Sequence, residues 1–533
     1  MQTVPVREPS AAAASSSHPR GLYLLFATEM WERFSYYGMR AVLVLFLTKA
    51  MMMDKAFASK FFGGYTSLIF LTPLIGGYIS DRYWGNRRSI LVGGLLMALG
   101  QFTLFTSASN YGPAVTHPFS HQLLYLGLGF MILGNGFFKP NISSMVGALY
   151  SNTDTRKDAA YTIFYMGINL GSLIGNFITS AVGDKEGHPE SFRWAFLACG
   201  IAMILSTVVF QWGKTKYLHT PEGEQVGETP ATSSGVKGIF ALLPVLLAII
   251  LGVLYLDTAK FSIIVPLLVV ATIGIIILIL TDKSLTAADI QRVLVIFIVS
   301  FFVVFFWAAF EQAPISLTFF ADEQMNRTIL SSIQFGTDDA GQPKYGYTLA
   351  PSFFQLLNGL FVVICAPFMA MLWTALGRRN AEPASPVKMA IGLALLALGY
   401  VVMCFCVRDL QPGVKSSMIY LFVLYFLHSI GELCLSPIGL SLVNKLAPLK
   451  FSSLLMAVWF LANAGANYLA GYMSSLYPEA GKPNPHLLGF EIDSLYSFFM
   501  VFVVSSAVAA LLLFLLSGKL ARMMRTPDLP AAT

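Results

Sequence analysis

Charge is what this chain of 533 residues has least of. Asp, Glu, Lys and Arg together make up 12% of it, against about 25% in soluble domains. That shortage, set against a hydrophobic share of 56%, excludes a soluble enzyme and describes a chain that crosses a bilayer repeatedly. Cysteine is scarce too. The five cysteines, at 199, 365, 404, 406 and 434, all fall in apolar runs, and Cys404 and Cys406 are spaced C-x-C with no partner His or Cys pair. They read as buried small hydrophobes, so neither a metal nor a redox cofactor is expected. The first twenty residues lack the apolar core of a secretory signal and read as a disordered tail. The net charge of +6 forms no contiguous basic stripe, so no nucleic-acid partner is expected.

Long apolar runs are what the sequence has instead. Fourteen reach spanning length, which predicts an all-α membrane protein. A polar stretch, 214–236, is predicted to be a cytoplasmic linker. Six spans precede it in residues 21–213, and six follow in 282–520, the first of them over 289–321. An inserted aliphatic pair, 237–256 and 261–281, lies between and is expected to face lipid without a transport role. Residues 521–533 form a C-terminal tail. Six plus six, with two extra spans, is the arrangement of a major-facilitator fold. With both termini inside, cytoplasmic segments hold 20 Lys and Arg and outer ones 11, an excess that puts both termini of a multi-pass protein in the cytoplasm.

The few charges within spans are therefore the candidates for function, since a charge at the bilayer centre costs about 2.5–3.5 kcal/mol on insertion scales. In EMWERFSYYGMR, 29–40, Glu29, Glu32 and Arg33 share one helical face, continued by Tyr36, Tyr37 and Arg40. Two acids beside one arginine make a site able to gain or lose a proton. Lys139 precedes a proline in GNGFFKPNISS, and Glu311 and Glu432 each lie shortly before one in FFWAAFEQAPIS and HSIGELCLSPIG. The first half thus brings a net positive set and the second a net negative set. A cavity between them suits a zwitterion.

The pattern Glu29-x-x-Glu32-Arg33-Phe34-x-Tyr36-Tyr37-Gly38 resembles the first signature of the proton-dependent oligopeptide transporter (POT, or PTR) family. FYMGINLGSL, 164–173, is similar to its second signature, and GGYISDRYWGNRR, 76–88, to the broader major-facilitator loop. The resemblance implies a proton-coupled symporter of di- and tripeptides, working by alternating access and functional as a monomer. It implies proton coupling by Glu29, Glu32, Arg33 and Glu311. Arg40 and Lys139 would face the peptide carboxylate, Glu432 the amine, and Asn169 and Asn358 the backbone. Tyr37, Trp307 and Trp459 would line side-chain pockets, and Tyr36 and Ser436 join the substrate-binding group. Two gating pairs are implied, Arg40 with Glu311 toward the outside and Lys139 with Glu432 toward the inside. Phe70 stands where the family often has tyrosine, and Gly63 where mammalian-type members carry histidine. His428, four residues before Glu432, reads as a structural partner. Another major-facilitator substrate (nitrate, a drug or another small anion) is the main alternative. A polytopic membrane enzyme is a further one, although the longer polar loops hold no His/Cys cluster and no phosphate-binding glycine loop.

Overall fold

A computed structural model describes residues 17–524 except 152, 153, 155, 230–235, 260, 261, 338–341, 409 and 412. Most of the expected N-terminal tail, the end of the linker and residues 525–533 of the C-terminal tail lie outside the described residues. The first six helices are α1 (Arg20–Leu45), α2 (Lys55–Ile79), α3 (Gly85–Ser109), α4 (Pro118–Ala148), α5 (Lys157–Gly183) and α6 (Phe192–Tyr217). The inserted pair is α7 (Val236–Ala259) and α8 (Ile264–Leu280). The remainder are α9 (Ala287–Phe310), α10 (Ser316–Gln324), α11 (Leu356–Arg378), α12 (Ser385–Arg408), α13 (Ile419–Leu446), α14 (Ser452–Ser474) and α15 (Leu495–Met523).

Apart from α10, the helices run from 17 to 31 residues; those of 20 or more reach about 30 Å at about 1.5 Å per residue, the thickness of a hydrocarbon core, and α8 falls a few ångströms short. Nine stretches among the described residues meet a strict test of length and hydropathy, one of them running through both α2 and α3. The chain is a multi-pass membrane protein. α1 fails that test because of the charges it carries.

The expected ninth span, 289–321, is not one helix. It breaks into α9 and α10 at residues 311–315. Pro314 has no N–H to donate and disfavours helical backbone at the residue before it. Gln312, fully buried, fills the break. Its amide donates to the Ala308 and Ala470 carbonyls at 2.9 and 3.1 Å, and its oxygen accepts from the Ser316 and Ser474 hydroxyls at 2.7 and 2.6 Å.

In the first half α1 packs on α5 and α6, and α4 on α2 and α3. In the second, α12 packs on α13 and α15, and α9 on α14. The two halves meet through α2 against α14 and α5 against α11. The inserted pair bridges them, with α7 lying on α2 and α4 and α8 on α14. The linker is also tied down. Arg87 donates to the carbonyls of Val226 and Leu218 at 2.7 and 2.8 Å, stitching residues 218–226 to the start of α3.

The end of the bundle opposite Arg20 and Met523, here the far end, is shut by contacts between the halves. Gly63 of α2 lies against Gly471 of α14 so closely that a Cβ on Gly63 would stand 2.8 Å from the Gly471 Cα. That approach explains the glycine at 63, since a histidine has no room there. Around it Lys49 pairs with Asp322 at 2.7 Å, Arg327 reaches Glu186 at 3.6 Å, and Lys55 and Asp54 pair with Glu323 and Lys482. The Ser352 N–H and hydroxyl donate to Asp184 at 3.1 and 2.7 Å. The Asp54–Lys482 pair is exposed on both sides and contributes about 0–1 kcal/mol, whereas the other pairs are at least partly buried and support the glycine contact.

Gly63→Val should therefore open the far end. Spin labels at Val115→Cys and Phe490→Cys, both exposed and across the seam, report it, and the five native cysteines are buried and do not compete for label. A longer distance distribution in the variant is expected. An unchanged one would show that the glycine contact does not hold the seam.

Candidate functional site

The site begins with how α1 carries its charges. Glu29, Glu32 and Arg33 are each no more than 2% exposed. Arg33 donates to Glu32 through two nitrogens, one contact measuring 2.8 Å, and reaches Glu29 Oε1 at 3.2 Å. The second oxygen of Glu29 has no hydrogen-bond partner. The guanidinium lies 5.1 Å from the Tyr36 ring centre and 5.9 Å from that of Tyr37, within cation–π reach.

The second signature explains how α5 closes over this cluster. Gly167, Gly171 and Gly175 recur every fourth residue, so one face of α5 has no side chains. A Cβ on Gly171 would collide with the Met30 carbonyl and stand 3.0 Å from Arg33 Cβ. One on Gly175 would lie 2.5 Å from the Phe34 carbonyl. Small residues at this spacing let helix backbones meet in a membrane, and here the meeting seals Arg33 from lipid.

Arg40, two turns on from Arg33, forms an ion pair with Glu311 across the halves, both side chains about nine-tenths buried. The break between α9 and α10 places Glu311 there, because it caps α9 where the chain turns away. Lys139 and Glu432, in contrast, are not brought together. No carboxylate among the described residues lies within 4 Å of Lys139. Its ammonium sits 5.1 Å from the ring centre of Phe70, and it is close enough to Arg33, Glu32, Glu29 and Arg40 to feel each charge. Phe70 thus offers Lys139 a ring face where a tyrosine would add a hydroxyl. Tyr65, buried with its own hydroxyl unpartnered, does not replace that group. Glu432 accepts from the Asn358 amide at 2.9 Å, and the same amide reaches the Ser429 hydroxyl at 3.1 Å.

Below this level a cavity of about 970 Å³ opens between the halves toward the end that carries the described ends of the chain. Pro140, Ser143, Tyr161 and Tyr165 line it from α4 and α5, and Ser436, Asn444, Met456 and Trp459 from α13 and α14. Lys139 directly precedes Pro140, and Glu432 is one turn before Ser436, so both flank the head of the cavity. Trp459 packs on Gly439, where a Cβ would strike its ring. Trp307 is half-buried among Phe306 and Phe310, with its indole N–H unpartnered. Asn169 turns its amide back to the Tyr165 carbonyl of its own helix at 3.0 Å, so it and Asn358 are not bonded to each other. His428 lies against Gly399 of α12, 3.3 Å from the Leu396 carbonyl, away from the cluster.

Residues 87–485 match the POT family. The chain belongs to that family. This POT-family chain is 34% identical over 471 residues to an uncharacterized transporter, YclF, of Bacillus subtilis, covering 87% of this chain and 89% of that one. It is 33% identical to a di-/tripeptide transporter of Lactococcus lactis subsp. cremoris, over 87% of this chain and 90% of the relative. A crystal structure of a peptide transporter POT in complex with sulfate is 31% identical and superposes with a TM-score of 0.78, covering 96% and 97% of the two chains. The fold is the mostly helical major-facilitator fold of that family, with a β-hairpin of Thr328–Thr337 and Pro343–Thr348 between α10 and α11.

Sequence reasoning missed Gln312, although it adjoins Glu311 and a polar residue beside a helix-breaking proline is a usable signal. It also missed Gln355, whose amide reaches the Ala41 carbonyl at 3.0 Å, one residue from Arg40. Nothing in the sequence pairs those two positions, which are 314 residues apart.

Two outcomes follow from this geometry. Glu32 holds Arg33 through two contacts and Glu29 through one, and removing one member of a buried pair costs about 3–5 kcal/mol. Thermal unfolding in detergent should therefore show a larger loss for Glu32→Gln than for Glu29→Gln, and an equal or reversed order would contradict this. Gln312→Leu leaves the Ser316 and Ser474 hydroxyls without the oxygen they donate to, at about 1–3 kcal/mol per unsatisfied group. Its melting temperature should fall, and an unchanged one would show that this amide does not hold the break.

Proposed function

We propose that this POT-family chain is a proton-coupled symporter that imports di- and tripeptides by alternating access between its two halves. The observation that carries the reading is the separation of Lys139 from Glu432 at the head of the cavity while Arg40 and Glu311 stay paired. A peptide has a carboxylate and an ammonium several ångströms apart. Lys139, with no carboxylate among the described residues within 4 Å, is suited to the first, and Glu432, oriented by Asn358, to the second. Asn169, Tyr36, Tyr37, Trp307, Ser436 and Trp459 complete the proposed binding set. The peptide-transporting relatives named above support the same substrate class.

Proton coupling is assigned to Glu29, Glu32, Arg33 and Glu311. Two carboxylates share one guanidinium in α1, and Glu29 keeps an oxygen without a hydrogen-bond partner. A proton there cancels a buried charge instead of breaking an established bond. At Glu311 a proton removes the attraction to Arg40, which loosens the far end. Peptide and proton then act on the same rocking motion, one at each level of the seam. The far end is the external one in this reading, because the Lys/Arg excess lies at the end bearing the described termini. The protein sits in a bacterial inner membrane with both termini in the cytoplasm, and it works as a monomer, since one chain supplies every group.

The test is uptake of labelled dialanine into proteoliposomes under an imposed pH gradient. Accumulation above equilibrium that collapses with a protonophore is expected. Lys139→Ala should lower both uptake and exchange by about tenfold or more, the cost of one charge-assisted contact. Glu29→Gln and Glu311→Gln should lose accumulation and retain more exchange. A C-terminally amidated dipeptide that competes as well as the free acid would refute the role of Lys139, and nitrate uptake without peptide uptake would refute the substrate class.

A further inference from the structure

A second cavity of about 730 Å³ lies outside the one between the halves, where α7 on α2 approaches α8 on α14 at the far end. Its walls are apolar, formed by Phe57, Val265, Val269 and Leu469, and Gly465 leaves open space on one side. Val265 and Val269 are 41% and 49% exposed on the face of α8 that meets hydrocarbon, so the groove opens sideways into the bilayer. Two charges stand in this lining. Lys60 has no carboxylate among the described residues within 4 Å and rests 5.9 Å from the Tyr472 ring. Asp257 is held by the Ile264 N–H at 3.1 Å and the Tyr468 hydroxyl at 3.3 Å, which fix its orientation. Neither charge belongs to the transport site, and the sequence reading of an inert aliphatic pair assigned Asp257 no role.

We propose that this groove binds a membrane phospholipid whose headgroup is zwitterionic and carries a primary ammonium. The apolar walls take acyl chain, Lys60 the phosphate and Asp257 the ammonium. One cation and one anion in the same rim select a headgroup that is dipolar and net neutral. An anionic lipid would satisfy Lys60 and be repelled by Asp257. A quaternary ammonium has no N–H to donate to the carboxylate, so Asp257 favours the primary amine. The volume falls within the roughly 300–1,000 Å³ of ordinary ligand sites. A lipid there would also fasten the inserted pair beside the Gly63–Gly471 seam, since Gly64 on the adjacent face lies against Asp257 and Ile264. The inference does not depend on what the protein transports.

The experiment uses the full chain in nanodiscs containing equal phosphatidylethanolamine, phosphatidylcholine and phosphatidylglycerol, with native mass spectrometry of the lipid retained on the ejected protein. Wild type should retain phosphatidylethanolamine over each of the others by about tenfold, the equivalent of one charge-assisted hydrogen bond. Lys60→Ala and Asp257→Asn should abolish the preference. Gly465→Phe, which places a ring in the open space, should reduce retention of all three lipids. Equal retention in wild type, or an excess of phosphatidylglycerol or phosphatidylcholine, overturns the proposal, as does an unaltered preference in both charge variants. The wild-type selectivity is read without any substitution, so a variant that fails to fold leaves the proposal decided.

Discussion

A buried arginine shared by two carboxylates is the constraint on which the rest of this molecule depends. Isolated charges within a bilayer are expensive, and α1 carries four charged side chains between Glu29 and Arg40. The cost is offset only when each finds a partner and is sealed from lipid. Arg33 supplies the partner for Glu29 and Glu32, and the bare glycine face of α5 supplies the seal. Arg40, beyond the reach of that cluster, needs a partner from elsewhere and finds Glu311 in the other half. The charges of the first helix thus hold the two halves of the bundle together.

The two ends of the seam are made of different materials. At the far end Gly63 meets Gly471 and the Ser352 hydroxyl meets Asp184, contacts that are tight when formed. Toward the other end the halves stand apart around aromatic rings, hydroxyls and two opposite charges without each other. Close glycine contacts are either made or lost, so this seam is not built to stretch by degrees. The broken helix at Gln312 fits this division. It fixes Glu311 at the boundary between the sealed and open portions, with its backbone needs met by one buried amide.

The segments that looked like accessories are built into the body. Arg87 binds the carbonyls of Leu218 and Val226, so the first part of the linker is fastened across the end of α3. α7 and α8 each lie on a different half. A pair attached to both sides of a moving seam must accommodate its motion, and a lipid-filled groove is a deformable way to do so.

Sequence alone determined that the spanning elements are helices and roughly where each lies. Apolar runs of spanning length allow only helices, because every backbone group in hydrocarbon must be bonded within its own segment. The scarcity of charge made each intramembrane Glu, Lys and Arg legible as a candidate, and the signature residues from Glu29 to Gly38 were legible as a family pattern. Tertiary structure alone decided which of those charges meet. Arg40 and Glu311 belong to opposite halves of the chain, and only the break at Pro314 and the closing of the far end bring them together. Lys139 and Glu432 were equally legible and are not joined, because the halves diverge at their level. The break itself was hidden inside a continuous apolar run, since hydropathy records that residues avoid water and not whether their backbone continues. The reason for Gly63 was hidden as well. A missing side chain has meaning only when the structure shows what occupies its place, and here that is the backbone of Gly471.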